Sequence, residues 1–123
     1  MRTLKSIAGV VMSSALLIGS LAFLSATSVS ADQATIAEGK KIAFNRKKGN
    51  CLGCHMIAGG SLPGNVGPPL IAMKARFPDK AKLRVQIWDA TVNNPNTIMP
   101  PFGRHNILSD KEVDKIVDFI HSL

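Results

Sequence analysis

Five consecutive residues constrain the fold of this chain more than any other feature. Residues 51–55 read Cys-Leu-Gly-Cys-His, and Cys51 and Cys54 are the two cysteines of the 123-residue sequence. Because only two residues separate the cysteines, a single turn of chain can bring both thiols and the adjacent imidazole to one place. The fold must leave room beside this turn for whatever the two sulfur atoms and the histidine bind.

The start of the chain has the pattern of an export signal. Two basic residues precede an uncharged stretch at residues 7–24, and small residues follow as far as Ala31. This order is typical of a cleavable secretory peptide. We expect residues 1–31 to be a signal peptide and residues 32–123 to form one periplasmic domain. An uncleaved membrane anchor is the alternative, but serines and a glycine interrupt the apolar stretch.

Size and charge limit what the exported domain can do. Loss of residues 1–31 would leave 92 residues and would lower the net charge from +7 to +5, because two basic residues leave. A domain this small often depends on disulfides, metals or cofactors for its stability. The basic residues concentrate at residues 40–48, which indicates either a docking surface for an acidic partner or a solvated helix face. An exported chain without interleaved aromatic and basic residues is not expected to bind nucleic acid.

The motif at residues 51–55 is the pattern by which haem is attached covalently to a protein. The two thiols add to the haem vinyl groups, and the histidine that follows ligates the iron. A redox-active Cys-x-x-Cys would accompany a βαβ pattern, and a zinc site would need two further ligands at metal spacing. A plain disulfide would leave His55 without a role. We therefore predict that Cys51 and Cys54 hold one haem c and that His55 is an iron ligand.

Met99 is the candidate for the second iron ligand. It lies in a proline-rich loop that can hold a thioether against iron, and His105, in the same segment, is the runner-up. Met56 adjoins the proximal histidine and cannot reach the other haem face. Met73 and His121 lie in predicted helices, where ordinary structural roles explain them. Ligation by His and Met raises the potential and leaves no vacant position, so we expect single-electron transfer rather than catalysis.

The loop at residues 57–69 is expected to support the proximal histidine. It contains four glycines and three prolines, which exclude a regular element. Pro68 is the candidate to accept a hydrogen bond from the second ring nitrogen of His55 through its carbonyl oxygen. Leu70 is a candidate contact on the haem edge. Trp88 would ordinarily be a core residue, although its indole N–H could donate to a haem propionate.

Apolar spacing predicts an all-α domain. Four helices are expected, over residues 34–46, 70–76, 80–92 and 110–123. Asp79 is the expected N-cap of the third helix, and Ser109 with Glu112 has the spacing of a capping box at the fourth. Gly39, inside the first helix, suggests close approach by another helix. No segment has the alternation of a strand, and the long loops need a body such as haem to pack on.

These features together resemble the class I cytochrome c family over residues 32–123. That family has an N-terminal helix, the Cys-x-x-Cys-His motif, a Gly-Pro-x-Leu turn (here residues 67–70), a Met followed by Pro (here residues 99–100) and a C-terminal helix. The resemblance implies a small fold in which helices and long loops surround one haem. It also implies that the first and last helices pack together at Gly39.

Two longer strings are similar to the SoxX family. Residues 59–70 read Gly-Gly-Ser-Leu-Pro-Gly-Asn-Val-Gly-Pro-Pro-Leu, and residues 93–105 read Asn-Asn-Pro-Asn-Thr-Ile-Met-Pro-Pro-Phe-Gly-Arg-His. SoxX proteins are the monohaem subunits of periplasmic SoxAX complexes in thiosulfate-oxidising bacteria. The similarity implies a heterodimer with SoxA, an indirect relation to the SoxYZ carrier, and a soluble cytochrome c as electron acceptor.

The resemblance implies that this chain is not itself an enzyme. In a SoxAX L-cysteine S-thiosulfotransferase the catalytic centre is on SoxA, and the SoxX subunit removes electrons. Once both cysteines are thioethers, this chain has no thiol left for sulfur transfer. The alternatives are a diffusible class I cytochrome c that serves a terminal oxidase or reductase, and a haem-based gas sensor or peroxidase in which Met99 does not reach the iron.

Overall fold

The structure is a computed structural model that describes residues 25–123, with side chains from residue 32 onward. This part of the chain is helical and contains no strand, which confirms the all-α fold class. Its helices are α1 (Ser25–Phe44), α2 (Met73–Arg76), α3 (Lys80–Trp88) and α4 (Asp110–His121), with 3₁₀ turns at Cys51–Gly53 and Ala90–Val92. Among the helices of residues 25–123, none has the length and apolar character needed to cross a membrane. Most of the predicted signal peptide lies outside the described residues, and cleavage after Ala31 stays a prediction.

Helices α1 and α4 pack against each other at Gly39. A Cβ atom at Gly39 would lie 1.9 Å from the carbonyl oxygen of Lys115 and 3.0 Å from the Cβ of Phe119. Only a residue without a side chain allows the two backbones to come this close. The ring of Phe44 meets that of Phe119 edge-on, with 5.8 Å between the centroids. The close approach predicted for Gly39 is confirmed.

Helix α4 supplies much of the buried core. The Ser109 side chain accepts a hydrogen bond from the backbone N–H of Glu112, and the Glu112 carboxylate accepts one from the backbone N–H of Ser109 at 3.0 Å. This reciprocal pair is the predicted capping box. The apolar side of the helix is buried through Val113, Ile116, Val117, Phe119 and Ile120.

Helix α1 differs from its prediction at both ends. It begins at Ser25 rather than at residue 34, because the intervening small residues are compatible with a helix. It ends at Phe44 rather than at residue 46. The carbonyl oxygen of Ile42 accepts hydrogen bonds from the N–H groups of Asn45, at 3.2 Å, and Gly49, at 3.3 Å, and these bonds close a turn that replaces the last helical residues.

The second and third helices are shorter than their predictions. Ala72 has the left-handed conformation, with φ 50°, so α2 begins only at Met73. Helix α3 begins as predicted, with the Asp79 side chain accepting from the N–H of Ala81 at 2.8 Å. It stops at Trp88 because Asp89 is extended and caps the next 3₁₀ turn with its own side chain. The side chain of an aspartate competes in this way with the helical hydrogen bond.

Candidate functional site

One largely apolar cavity brings together the six principal residues that the sequence predicts for the cofactor site. Its volume is about 580 Å³, inside the range of about 300–1,000 Å³ that is usual for ligand and cofactor sites. The six predicted residues that line it are Cys51, Cys54, His55, Pro68, Leu70 and Met99. Core side chains complete the wall, among them Met73, Leu83, Ile87, Phe102, Ile116 and Ile120. The cavity therefore has the size and the apolar lining of a cofactor site.

A tight turn presents the two cysteines and the histidine to this cavity. Asn50 has the left-handed conformation, with φ 46°, and its carbonyl accepts from the N–H of Gly53 at 2.9 Å. The carbonyl of Cys51 then accepts from the N–H groups of Cys54, at 3.2 Å, and His55, at 2.9 Å. Both cysteines are half-buried, and they form no disulfide with each other.

The Cys51 side chain lies in the apolar wall of the cavity. Burial raises the pKa of Cys51 to about 11, because a thiolate loses its hydration in the apolar wall. The thiolate is the form that attacks other sulfur atoms. The apolar wall therefore disfavours the thiolate form of Cys51.

The loop after the turn fixes the orientation of His55. The ring Nδ1 lies 2.8 Å from the carbonyl oxygen of Pro68. A carbonyl oxygen only accepts, so Nδ1 carries the proton and Nε2 keeps its lone pair for a metal. Gly67 lies against the ring, since a Cβ there would be 2.4 Å from Cε1 of His55. Sequence reasoning identified Pro68 and the turn at residues 67–70, but it did not predict that Gly67 packs against the ring.

A series of short turns holds Met99 in the cavity wall. The carbonyl of Asn94 accepts from the N–H of Thr97 at 3.0 Å, and its side chain accepts from the N–H of Asn96 at 3.1 Å. The Thr97 hydroxyl then accepts from the N–H of Met99 at 3.1 Å. Such side-chain turns order a loop that has no regular structure.

Gln86 is a site residue that sequence reasoning missed. It lies on α3, lines the cavity, and places its Nε2 3.8 Å from the Sδ of Met99. The side chain is half-buried. A polar residue three positions after Leu83 and next to Ile87, on the inner side of the helix, was the signal that could have found it.

The other possible iron ligands are placed less suitably than Met99. His105 is exposed and does not line the cavity, and Met56 is 53% exposed. The Nε2 of His121 lies 3.2 Å from the carbonyl oxygen of Phe77. Met73 does line the cavity, but it is 2% exposed and packs in the hydrophobic core, which is an ordinary structural role for a methionine.

Trp88 has a partner within the protein. Its Nε1 lies 3.1 Å from Oδ1 of Asp110. Since an indole has a single N–H to donate, the hypothesis that Trp88 donates to a haem propionate is not supported. Gly103 packs on the indole ring, because a Cβ there would be 1.9 Å from Cδ1 of Trp88, and its N–H donates to the carbonyl of Trp88 at 2.9 Å. Trp88 therefore anchors the end of the Met99 loop.

The two competing interpretations of the cysteine pair lack their structural requirements. Across residues 25–123 no group of three or more His, Cys, Asp or Glu side chains could hold a metal ion. The same residues form no strand that could provide a βαβ unit. A zinc site and a thioredoxin-like site are both disfavoured.

A comparison with protein families decides the class of the protein. The model of a c-type cytochrome family, described as cytochrome c oxidase, cbb3-type, subunit III, matches residues 34–120. The chain belongs to this family. Membership implies a covalently bound haem c and an electron-transfer rather than a catalytic protein. The two cysteines on one turn, the oriented imidazole and the apolar cavity fit that group.

The chain is also similar to a bacterial lipoprotein. An uncharacterized lipoprotein of Aquifex aeolicus (strain VF5) is 32% identical over 76 residues, which are 61% of this chain. The match covers 37% of the length of that relative.

Proposed function

We propose that this chain is a periplasmic monohaem cytochrome in which Cys51 and Cys54 form the two thioether links, while His55 and Met99 ligate the iron. The observation that carries the proposal is that these four side chains line one apolar cavity of about 580 Å³. Haem bound in such a cavity supplies a centre that accepts and releases one electron at a time. The surrounding apolar side chains exclude water from it.

The site would orient one iron ligand and, through the other, favour the reduced state of the iron. The Pro68 carbonyl holds the proton on Nδ1 of His55, which fixes the ring and keeps Nε2 available as the ligand atom. A thioether as the second ligand raises the potential. If His55 and Met99 both ligate the iron, the protein would leave no position on it for a substrate. Electron transfer therefore fits these residues better than gas binding or peroxidase chemistry.

We further propose that the electron donor is SoxA, in a SoxAX heterodimer. The two SoxX-like strings support this, because both contribute to the cavity wall. Residues 59–70 supply Gly67, Pro68 and Leu70, and residues 93–105 supply Thr97, Met99 and Phe102. Joining thiosulfate to a carrier thiol releases two electrons, and this chain has no third cysteine on which that bond could form. Its part would be to remove those electrons singly and pass them to a soluble cytochrome c.

The charge distribution is the observation that favours the alternative, a diffusible shuttle for a terminal oxidase or reductase. Six of the eight acidic residues are held in ion pairs: Glu38, Asp89, Asp110, Glu112, Asp114 and Asp118. The basic residues that form none of these ion pairs include Lys40, Lys41, Arg46 and Lys47. This basic cluster, of which Arg46 also lines the cavity beside Lys48, is suited to an acidic partner. Electrostatic attraction of this kind speeds transient encounters.

Purification from the native periplasm separates the two candidates. A SoxAX subunit is expected to co-purify in a fixed ratio with a second haem protein, and its haem should be reduced by thiosulfate only when that partner and the thiol carrier are present. A chain that elutes alone, and that a terminal oxidase oxidises directly without that partner, would contradict the SoxAX assignment and favour the shuttle.

A further inference from the structure

Gln86 makes two hydrogen bonds that join helix α3 to the Met99 loop. Its Nε2 lies 3.8 Å from the Sδ of Met99, and its Oε1 accepts from Nδ2 of Asn93 at 2.8 Å. Asn93 itself is anchored, because its backbone N–H donates to the carbonyl of Ala90 at 3.3 Å. The side chain of Gln86 therefore connects the start of the loop with the sulfur atom near its end.

The chemistry of the two neighbours fixes which end of the Gln86 amide faces the sulfur. A thioether has lone pairs but no proton, so it can accept from the amide N–H₂ and cannot donate to the amide oxygen. The reverse orientation would set oxygen against sulfur, two acceptors in contact. The Asn93 amide donates to the other end, which holds Gln86 in the favourable orientation.

We propose that Gln86, oriented by Asn93, is a positioning residue that holds the Met99 sulfur and raises the potential of the haem. The inference rests on the proposed role of Met99 as an iron ligand. A sulfur atom has two lone pairs, so one can bind a metal while the other accepts from Gln86. The hydrogen bond withdraws electron density from the sulfur. A sulfur atom that donates less electron density to the iron stabilises the oxidised state less, so the potential rises. Hydrogen bonds to a ligand from residues outside the coordination shell are a recognised control of this kind.

The first test compares the holoprotein with its Gln86→Leu variant, which removes the donor and keeps a side chain of similar bulk. We expect the haem to remain attached and the equilibrium constant for reduction to fall about two- to fivefold, the range of one modest hydrogen bond. The sulfur–iron charge-transfer band should shift or weaken. A redox titration and the absorption spectrum measure both, and a purely structural role would move neither.

Two neighbouring asparagines provide a matched pair of variants. Asn93→Asp offers only acceptors, so the Gln86 amide should turn and present its oxygen to the sulfur, which lowers the potential. Asn94→Asp adds the same charge one residue away, but its side chain keeps its acceptor role toward the N–H of Asn96. We expect a clearly larger fall in potential for the first variant than for the second. If Gln86→Leu does not mature, this pair still tests the inference.

The outcomes separate this inference from the function on which it rests. If the wild-type protein lacks a sulfur–iron band, ligation by Met99 is wrong and the inference falls with it. If the band is present but Gln86→Leu and Asn93→Asp leave the potential and the band unchanged, only the role of Gln86 is overturned. Loss of the band in Gln86→Leu, with haem still attached, supports a residue that holds the ligand in place.

Discussion

The Nδ1 atom of His55 lies 2.8 Å from the carbonyl oxygen of Pro68, and the glycine before that proline lies against the imidazole ring. The two contacts restrict the ring in different ways. The hydrogen bond assigns the proton to one nitrogen, and the van der Waals contact leaves the ring no space on that side. The imidazole of His55 is thus oriented by the protein itself.

Gly67→Ala should disturb the proximal histidine. The new methyl group would lie 2.4 Å from Cε1 of His55, so the ring must move away from the Pro68 carbonyl. We expect covalent attachment to persist, while the haem spectrum changes and the potential shifts. Gly59→Ala is the control, since it strains a residue with φ 75° whose new Cβ would meet only the flexible end of Lys40. An unchanged spectrum in Gly67→Ala alongside an altered one in Gly59→Ala would refute the proposed support.

Met99→Ala should open a coordination position and lower the haem potential. If Met99 is the second ligand, as we propose, its removal takes away the thioether that favours reduced iron. The reduced variant should bind carbon monoxide, whereas the reduced wild-type protein should not. Met73→Leu is the matched control, because Met73 also lines the cavity and the exchange nearly conserves volume. Carbon monoxide binding by the wild-type protein would instead favour a sensor or peroxidase.

Gly39→Ala should destabilise the fold without changing the haem ligands. The added Cβ would lie 1.9 Å from the carbonyl oxygen of Lys115, so α1 and α4 must separate. Overpacking of this kind costs about 1–3 kcal/mol. Denaturant unfolding should show a lower free energy of unfolding, while the haem spectrum should stay the same as that of the wild-type protein. The control is Ala37→Gly on an exposed position of the same helix, with a cost of about 1 kcal/mol from helix propensity alone. A free energy of unfolding in Gly39→Ala equal to wild type would contradict the packing.

Glu112 should make the stability depend on pH in the acid range. The Lys48 side chain and the backbone N–H of Ser109 lower the pKa of Glu112 to about 2, from an ordinary value of 4.5. Because the folded-state pKa is the lower one, the stabilisation is complete above pH 4.5 and is lost as the pH falls toward 2. Glu112→Gln should therefore be less stable than wild type at pH 7, and the difference should vanish near pH 2.

A double-mutant cycle identifies the partner in this effect. Once Glu112→Gln is present, Lys48→Gln should cost little more, because the two side chains form one ion pair. Urea unfolding at a series of pH values measures all four proteins. Additive losses at neutral pH would show that the pair does not act as a unit.

The basic cluster should accelerate electron transfer to an acidic partner. The double variant Lys41→Gln and Lys47→Gln should slow the bimolecular rate several-fold at low salt and flatten its dependence on ionic strength. The double variant Lys82→Gln and Lys111→Gln removes the same charge from exposed positions on α3 and α4. Stopped-flow rates that fall equally in both variants would indicate a general charge effect rather than a docking surface.

Local chemistry explains what could be predicted from the sequence. The capping box at Ser109 depends on residues three positions apart, and the role of Gly39 follows from one small residue in an apolar helical pattern. Both are therefore visible without the fold. The family class depends on a short motif whose chemistry needs those residue types at that spacing.

Contacts made by individual side chains explain the features that could not be predicted from the sequence. The break at Asp89 depends on a side chain that accepts a hydrogen bond from the backbone N–H of Thr91 at 3.0 Å and pairs with Arg104 at 2.9 Å. The partner of Trp88 is Asp110, 22 residues away, and Gln86 reaches Met99 only because the loop folds back onto α3. Sequence periodicity identifies the face on which such residues lie, but not the group that will meet them.

The most direct test of the covalent haem is extraction of the natively purified protein with acidified acetone. Two thioether links at Cys51 and Cys54 predict that the porphyrin precipitates with the polypeptide and that the solvent stays colourless. Substitution of both cysteines should release it. Colour that passes into the acetone from the unaltered protein would contradict covalent attachment and the function built on it.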